Sequence, residues 1–140
     1  MTKPRLLLAD DHRLVREGIR SLLGSDYEIV AEAADGRGLV RAAVEKQPDV
    51  IVADIGMPSL NGLEAVRQLR KRGIEAKVIF VTMQAGVDFA VQALRLGISG
   101  YVLKVDASDE LARAGREALA DRLYSSPGIA RDGMTLLVEG

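Results

Sequence analysis

The chain has 140 residues, within the size of one globular domain, and its 48% hydrophobic content with 4% aromatics and no Trp calls for an aliphatic core. Nineteen Lys and Arg against twenty Asp and Glu leave a net charge of −1, which excludes a strong sequence-independent pull on nucleic acid. Without Cys there is no disulfide framework, thiolate metal site or cysteine nucleophile.

In chain order, the first apolar run is RLLLAD at residues 5–10, followed by helical spacing at Leu14, Val15, Gly18, Ile19 and Leu22. Gly24 stands where a left-handed residue closes such a helix. YEIVAEA at 27–33 reads as the second strand. Its helix opens on Asp35 as N-cap, carries Leu39, Val40, Ala43 and Val44, and ends at Pro48. DVIVAD at 49–54 is the third strand, and Asn61 caps a helix bearing Leu63, Val66 and Leu69 that Gly73 closes. KVIFVT at 77–82 is the fourth, with Val87, Ala90, Val91 and Leu94 on a helix ending at Gly97. GYVLK at 100–104 is the fifth, and Ser108 is the expected N-cap of a last helix with Leu111, Ala114, Ala118 and Leu119.

The pattern is (βα)5. Strands that are apolar throughout are covered on both faces, as in parallel sheets, and right-handed crossovers place helices on both sides. An α/β fold with a doubly wound five-stranded parallel sheet in the order 2-1-3-4-5 is expected over residues 1–124. Residues 125–140, beginning Ser-Ser-Pro-Gly, are expected to be a tail or truncated linker with no DNA-binding domain. No run approaches the roughly 20 apolar residues of a membrane span, and MTKPRLLLAD lacks signal-peptide features, so a cytoplasmic location is expected.

Ligands of such sheets sit beyond the carboxyl ends of the strands, at the reversal between strands one and three. Strand one ends on Asp10 and Asp11, and strand three on Asp54, so three carboxylates converge there. Two such charges about 4–5 Å apart repel by roughly 3–4 kcal/mol at an effective dielectric of about 20, which calls for a shared cation or proton. Oxygen donors open to water suit Mg²⁺. Thr82 ends strand four with a hydroxyl and Lys104 ends strand five with an ammonium, and with Mg²⁺ they make a cradle for a phosphoryl group. Asp10 and Asp11 are adjacent and suit a metal. Asp54 stands alone at its strand end and is the expected nucleophile toward phosphorus.

Asp10-Asp11, Asp54 followed by Met57-Pro58 and Asn61-Gly62, Thr82, and the run Gly100-Tyr101-Val102-Leu103-Lys104 together resemble the receiver domains of two-component response regulators, over roughly residues 4–124. DDHRLVREGIRSLL at 10–23 and the GYVLK ending are similar to the NarL/FixJ (LuxR-type) subgroup. The resemblance implies the flavodoxin-like receiver fold and Mg²⁺-dependent phosphorylation of Asp54 by a sensor histidine kinase. It implies that Asp10, Asp11, Asp54 and the Gly56 backbone carbonyl hold the ion, that Lys104 contacts the phosphoryl group, and that Thr82 follows it. Tyr101 would be the aromatic switch residue, turning inward to change the output face. The chain would then be a signalling phosphoacceptor that assists its own phosphorylation and dephosphorylation, not an enzyme, and in a longer protein part of a transcription regulator. Homodimers of the subgroup use the first and fifth helices, where Gly18, Ile19 and Leu22 and Ala114, Gly115 and Ala118 offer small apolar surfaces. Neither nucleic acid nor membrane is an expected partner of this segment.

Two features depart from the family pattern. Val105 rather than Pro follows Lys104, so a differently shaped loop is expected, and the residues after Tyr124 are too few for a helix-turn-helix domain.

Other readings compete for single residues. His12 is expected to serve the surface or a helix cap, Met57-Pro58 to shape a turn, and Tyr101 to lie partly in the core. A haloacid-dehalogenase-type phosphohydrolase would need a second acid two residues after Asp54, where Gly56 stands. A nucleotide- or flavin-binding module would need a glycine loop after strand one, where Asp10, Asp11 and His12 stand, and Gly36-Arg37-Gly38 is incomplete as such a loop. A phosphorylation-independent interaction domain on the same fold shares every local feature.

Overall fold

Alternate residues of a strand face opposite sides of its sheet. In β1 (Arg5–Ala9) this sends Leu7 and Ala9 to one face and Leu6 and Leu8 to the other. β3 (Val50–Asp54) divides the same way, Ile51 and Ala53 against Val50 and Val52, as does β4 (Lys77–Thr82), Val78 and Phe80 against Ile79 and Val81. The computed structural model describes residues 3–83 and 87–125, with the backbone alone at Val87 and Asp88. Two apolar layers result, one on each face. α2 (Gly36–Lys46), α3 (Gly62–Lys71) and α4 (Val87–Arg95) cover the first through Leu39, Leu63, Val66, Leu69 and Ala93. α1 (Arg13–Leu23) and α5 (Ala107–Leu119) cover the second through Ile19, Leu23, Leu111, Ala114 and Ala118.

With β2 (Glu28–Ala33) and β5 (Gly100–Leu103), the strands pair in parallel in the expected order β2-β1-β3-β4-β5. A sixth strand, β6 (Tyr124–Ser125), adds to the β5 edge and straddles the expected boundary between domain and tail at residue 124. Its register sets Gly100 against Tyr124 and Tyr101 against Ser125. Residues 126–140, the rest of the expected tail, lie outside the described residues.

Asp35 and Asn61 cap as expected, their side chains accepting from the N–H groups of Gly38 at 2.7 Å and Glu64 at 2.9 Å. Gly73 and Gly97 are left-handed, with φ of 78° and 73°. Two expectations fail at other helix ends. Gly24 keeps helical geometry, φ −63°, because its N–H still bonds Arg20 O at 2.8 Å, and the chain turns only where Tyr27 N–H reaches Leu23 O. α2 does end just before Pro48, as expected, with Gln47 left-handed at its C-cap, φ 48°. Ser108 is not the cap of α5: a 3-10 turn over Lys104–Asp106 leads into Ala107, which bonds back to Lys104 O, so the helix has begun before residue 108.

The apolar spacing also overstates some buried faces. Leu14 is 82% exposed and Leu22 is exposed, since the buried stripe of α1 runs through Ile19 and Leu23, and Val44 and Leu119 on other helices are exposed as well. Ala114, Gly115 and Ala118 are buried inside this chain, so they cannot form the fifth-helix half of a dimer surface, and Ile19 is buried too. Among those six positions, only Gly18 and Leu22 are exposed.

Candidate functional site

The switch between winding directions lies between β1 and β3, and the chain is held tightly on both sides of it. Asp10 N–H donates to Ala33 O at 3.0 Å as β1 ends, and Arg16 Nη1 donates to the Asp10 carbonyl at 2.6 Å. The Asp10 carboxylate is thereby carried in at 1% exposure, with Oδ1 accepting from His12 N–H at 2.8 Å. Asp54 is the last residue of β3, and its Oδ1 accepts from Gly56 N–H at 3.0 Å. The turn beyond is anchored by Met57, which is buried in the apolar layer, while Ser59 takes the left-handed conformation at φ 63°. Met57 is thus a core residue and not only the turn shaper expected.

Lys104 Nζ joins the two strand ends. It lies 3.1 Å from Asp54 Oδ2, to which it donates, and 3.0 Å from Asp10 Oδ2. All three side chains are at most 10% exposed. Burial pushes the Lys104 ammonium down, but its contacts with Asp10 and Asp54 outweigh that and hold its pKa above the ordinary 10.5. One positive charge does not balance two carboxylates with Asp11 beside them. Asp10 Oδ2 is buried, at ion-pair distance from the Lys104 ammonium that also serves Asp54. Ligand atoms of Asp10, Asp11, His12 and Asp54 all lie within 4.8 Å of one another. Three carboxylates gathered around one ammonium fit a hard divalent cation that keeps part of its water shell.

The structure brings the residues singled out in the sequence to one cleft of about 460 Å³. Asp11, Asp54, Gly56, Thr82 and Lys104 line it, and Asp10 lies beneath through its contact with Lys104. Tyr101 does not line it. The ring is 2% exposed and packs edge-on against Phe80, centroids 6.5 Å apart, while burial raises its pKa to about 12. The ring thus lies inward, packed in the core. Met83 and Phe89, both exposed apolar residues on the wall of the cleft, were missed in the sequence. Only the position of Met83 directly after a strand-ending Thr signals it.

The model of the response regulator receiver domain family matches residues 6–116. The chain belongs to this family. Among relatives of the receiver domain, the transcriptional regulatory protein DegU of Brevibacillus brevis is 33% identical over 132 residues, covering 93% of this chain and 56% of that protein. The response regulator GacA of Pseudomonas aeruginosa is 35% identical over 129 residues, covering 91% and 60%. The crystal structure of a LuxR-family two-component response regulator from Aurantimonas sp. SI85-9A1 superposes with a TM-score of 0.90 at 39% identity, covering 98% of this chain and 99% of that one. This receiver domain thus spans less than two thirds of the two curated relatives. Among the described residues, no helix is long and apolar enough to cross a membrane.

Proposed function

We propose that Asp54 of this receiver domain accepts a phosphoryl group from the phosphohistidine of a sensor histidine kinase. The observation that carries this is Lys104 Nζ at 3.1 Å from Asp54 Oδ2, on the rim of a cleft shared with Asp11 and Thr82. A carboxylate oxygen of Asp54 attacks phosphorus, the P–O bond forms as the P–N bond to the donor imidazole breaks, and the imidazole leaves carrying a proton. Asp10, Asp11, Asp54 and the Gly56 carbonyl would hold a Mg²⁺, which would supply charge neutralisation for the phosphoryl oxygens. Lys104 orients the acceptor oxygen and takes up part of the transferred charge, and the Thr82 hydroxyl donates to a phosphoryl oxygen. The same groups positioned around the acyl phosphate assist its hydrolysis. Rearrangement of Thr82 biases Tyr101, and with it the face of α4 and β5.

The wider role is proposed from the family. In a longer chain this domain regulates transcription, works in the cytoplasm with its kinase, and pairs with a second copy through α1 and the outer face of α5, where Gly18, Leu22 and Leu119 are exposed. The deciding experiment incubates wild type and Asp54→Asn with Mg²⁺ and a small phosphodonor. A base-labile mass gain of one phosphoryl group on the wild type alone is expected. Equal labelling of both proteins overturns Asp54 as the acceptor, and labelling of neither leaves a phosphorylation-independent interaction domain.

A further inference from the structure

The cation reading of the acidic site leaves His12 without a duty, and its geometry supplies one. His12 stands at the N-cap of α1, yet its side chain makes no capping hydrogen bond. Its Nδ1 lies instead 3.2 Å from Asp11 Oδ1 and 3.4 Å from Asp10 Oδ1. It belongs to the four-residue donor set gathered within 4.8 Å, together with Asp54. Ligands about 2.1 Å from one ion sit on the order of 3 Å apart when adjacent, close to this spacing. The His12 N–H bond to Asp10 Oδ1 holds residue 12 over the acid pair, and a 66% exposed side chain leaves its ring at the mouth of the cleft. Below it, the buried Asp10 Oδ2 lies 3.0 Å from the Lys104 ammonium, a single positive charge that Asp10 shares with Asp54.

Resting on the proposed cation site, we infer that His12 is a nitrogen ligand there and tilts the choice of ion toward borderline first-row divalent cations, for which Co²⁺ is the probe. Three carboxylates and a carbonyl favour Mg²⁺, which gains little from imidazole. A ring nitrogen strengthens binding along the order that rises from Mn²⁺ through Co²⁺ to Ni²⁺. The site then takes Mg²⁺ or a transition cation, with His12 setting the ratio between them.

His12 is the only histidine of the chain, so its ligation can be read without ambiguity on tag-free protein. Wild type, His12→Gln and Asp10→Asn are titrated calorimetrically with Mg²⁺ and with Co²⁺ at one pH, and the Co²⁺ forms are examined by proton NMR. The Co²⁺-to-Mg²⁺ affinity ratio is expected to fall at least about tenfold in His12→Gln. A paramagnetically shifted imidazole ring C–H resonance should appear in wild type and vanish in that variant. An unchanged ratio, the lack of that resonance with Co²⁺ bound, or undiminished Co²⁺ binding in Asp10→Asn each overturns the role of His12. A flat Mg²⁺ titration of wild type sinks the cation site itself, and is thereby told apart from a failure confined to His12.

Discussion

A methyl group on Gly62 would lie 2.4 Å from the carbonyl oxygen of Asp54 and 3.1 Å from the Cα of Ile55. The first residue of α3 therefore rests on the last peptide unit of β3, and Gly62 N–H closes the contact by donating to Ile55 O at 2.8 Å. Asp54 is backed by a helix start that admits no side chain. Gly62→Ala has to displace backbone on one side or the other, which costs about 1–3 kcal/mol by analogy with overpacked cores. Urea unfolding should show a lower midpoint with an unchanged m-value, and phosphoryl incorporation should slow. A variant as stable and as readily labelled as wild type would show that the contact relaxes freely.

Lys104→Met removes the only cation that reaches both Asp10 and Asp54 among the described contacts. Breaking a buried ion pair from one side leaves charge uncompensated, and the loss here is expected to be about 3 kcal/mol, the low end because the cleft is open to water. The folded pKa of Lys104 is raised, so its contribution is present in full below the ordinary 10.5 and disappears as pH rises through the higher folded value. The stability gap between wild type and variant should thus stay level from about pH 7 to 9 and close only in strong alkali. Saturating Mg²⁺ should narrow it at neutral pH, since the ion replaces the missing charge. A gap that closes before pH 9, or ignores Mg²⁺, contradicts the electrostatic account.

The sheet was legible in the sequence because its strands are apolar on both faces, which few other elements imitate, and because Asp10, Asp11, Asp54, Thr82 and Lys104 each stand where such a strand stops. What escaped has a physical reason in each case. Leu14 and Leu22 fit a helical period, but a period does not say which edge of the apolar stripe meets the sheet. Gly115 looked like a small outward surface. Instead, a Cβ there would come 2.2 Å from the Tyr27 hydroxyl oxygen, so it is the seat of a side chain far away in sequence. Tyr124 carries a strand only because β5 leaves an edge open, and no local propensity announces that.

The three tyrosines provide a spectroscopic test of the packing. Burial is the leading cause that raises the phenol pKa at Tyr27, at Tyr101 to about 12, and at Tyr124 to about 12 with help from the hydrogen bond to Glu110. A raised folded pKa means stability that is intact below the ordinary value of 10 and drains away as pH climbs toward the folded values. Absorbance titration should therefore show little phenolate at pH 10 in the native protein. Ionisation should instead accompany loss of the circular dichroism signal at higher pH. One phenol titrating normally in folded protein would place a ring in solvent.

β6 gives the last prediction, because it ties the end of the described chain to the strand bearing Tyr101. Tyr124 N–H donates to Ser99 O at 3.0 Å, its hydroxyl donates to Glu110, and the Arg113 guanidinium sits 5.7 Å over its ring. Gly100 makes room, for a Cβ there would lie 3.2 Å from two Ile79 carbons and 3.5 Å from Tyr124 O. Tyr124→Ala should lose about 1–3 kcal/mol, less than a fully buried aromatic because the ring is only partly covered. Tyr124→Phe should lose about 0.5–1.5 kcal/mol for the hydroxyl bond alone. Hydrogen exchange should quicken at the β5 amides in the alanine variant and stay near wild type in the phenylalanine one, because the ring, more than its hydroxyl, holds the strand in place. Equal protection of β5 in wild type and Tyr124→Ala would mean that β6 merely lies beside the sheet, without bracing the strand that carries Tyr101.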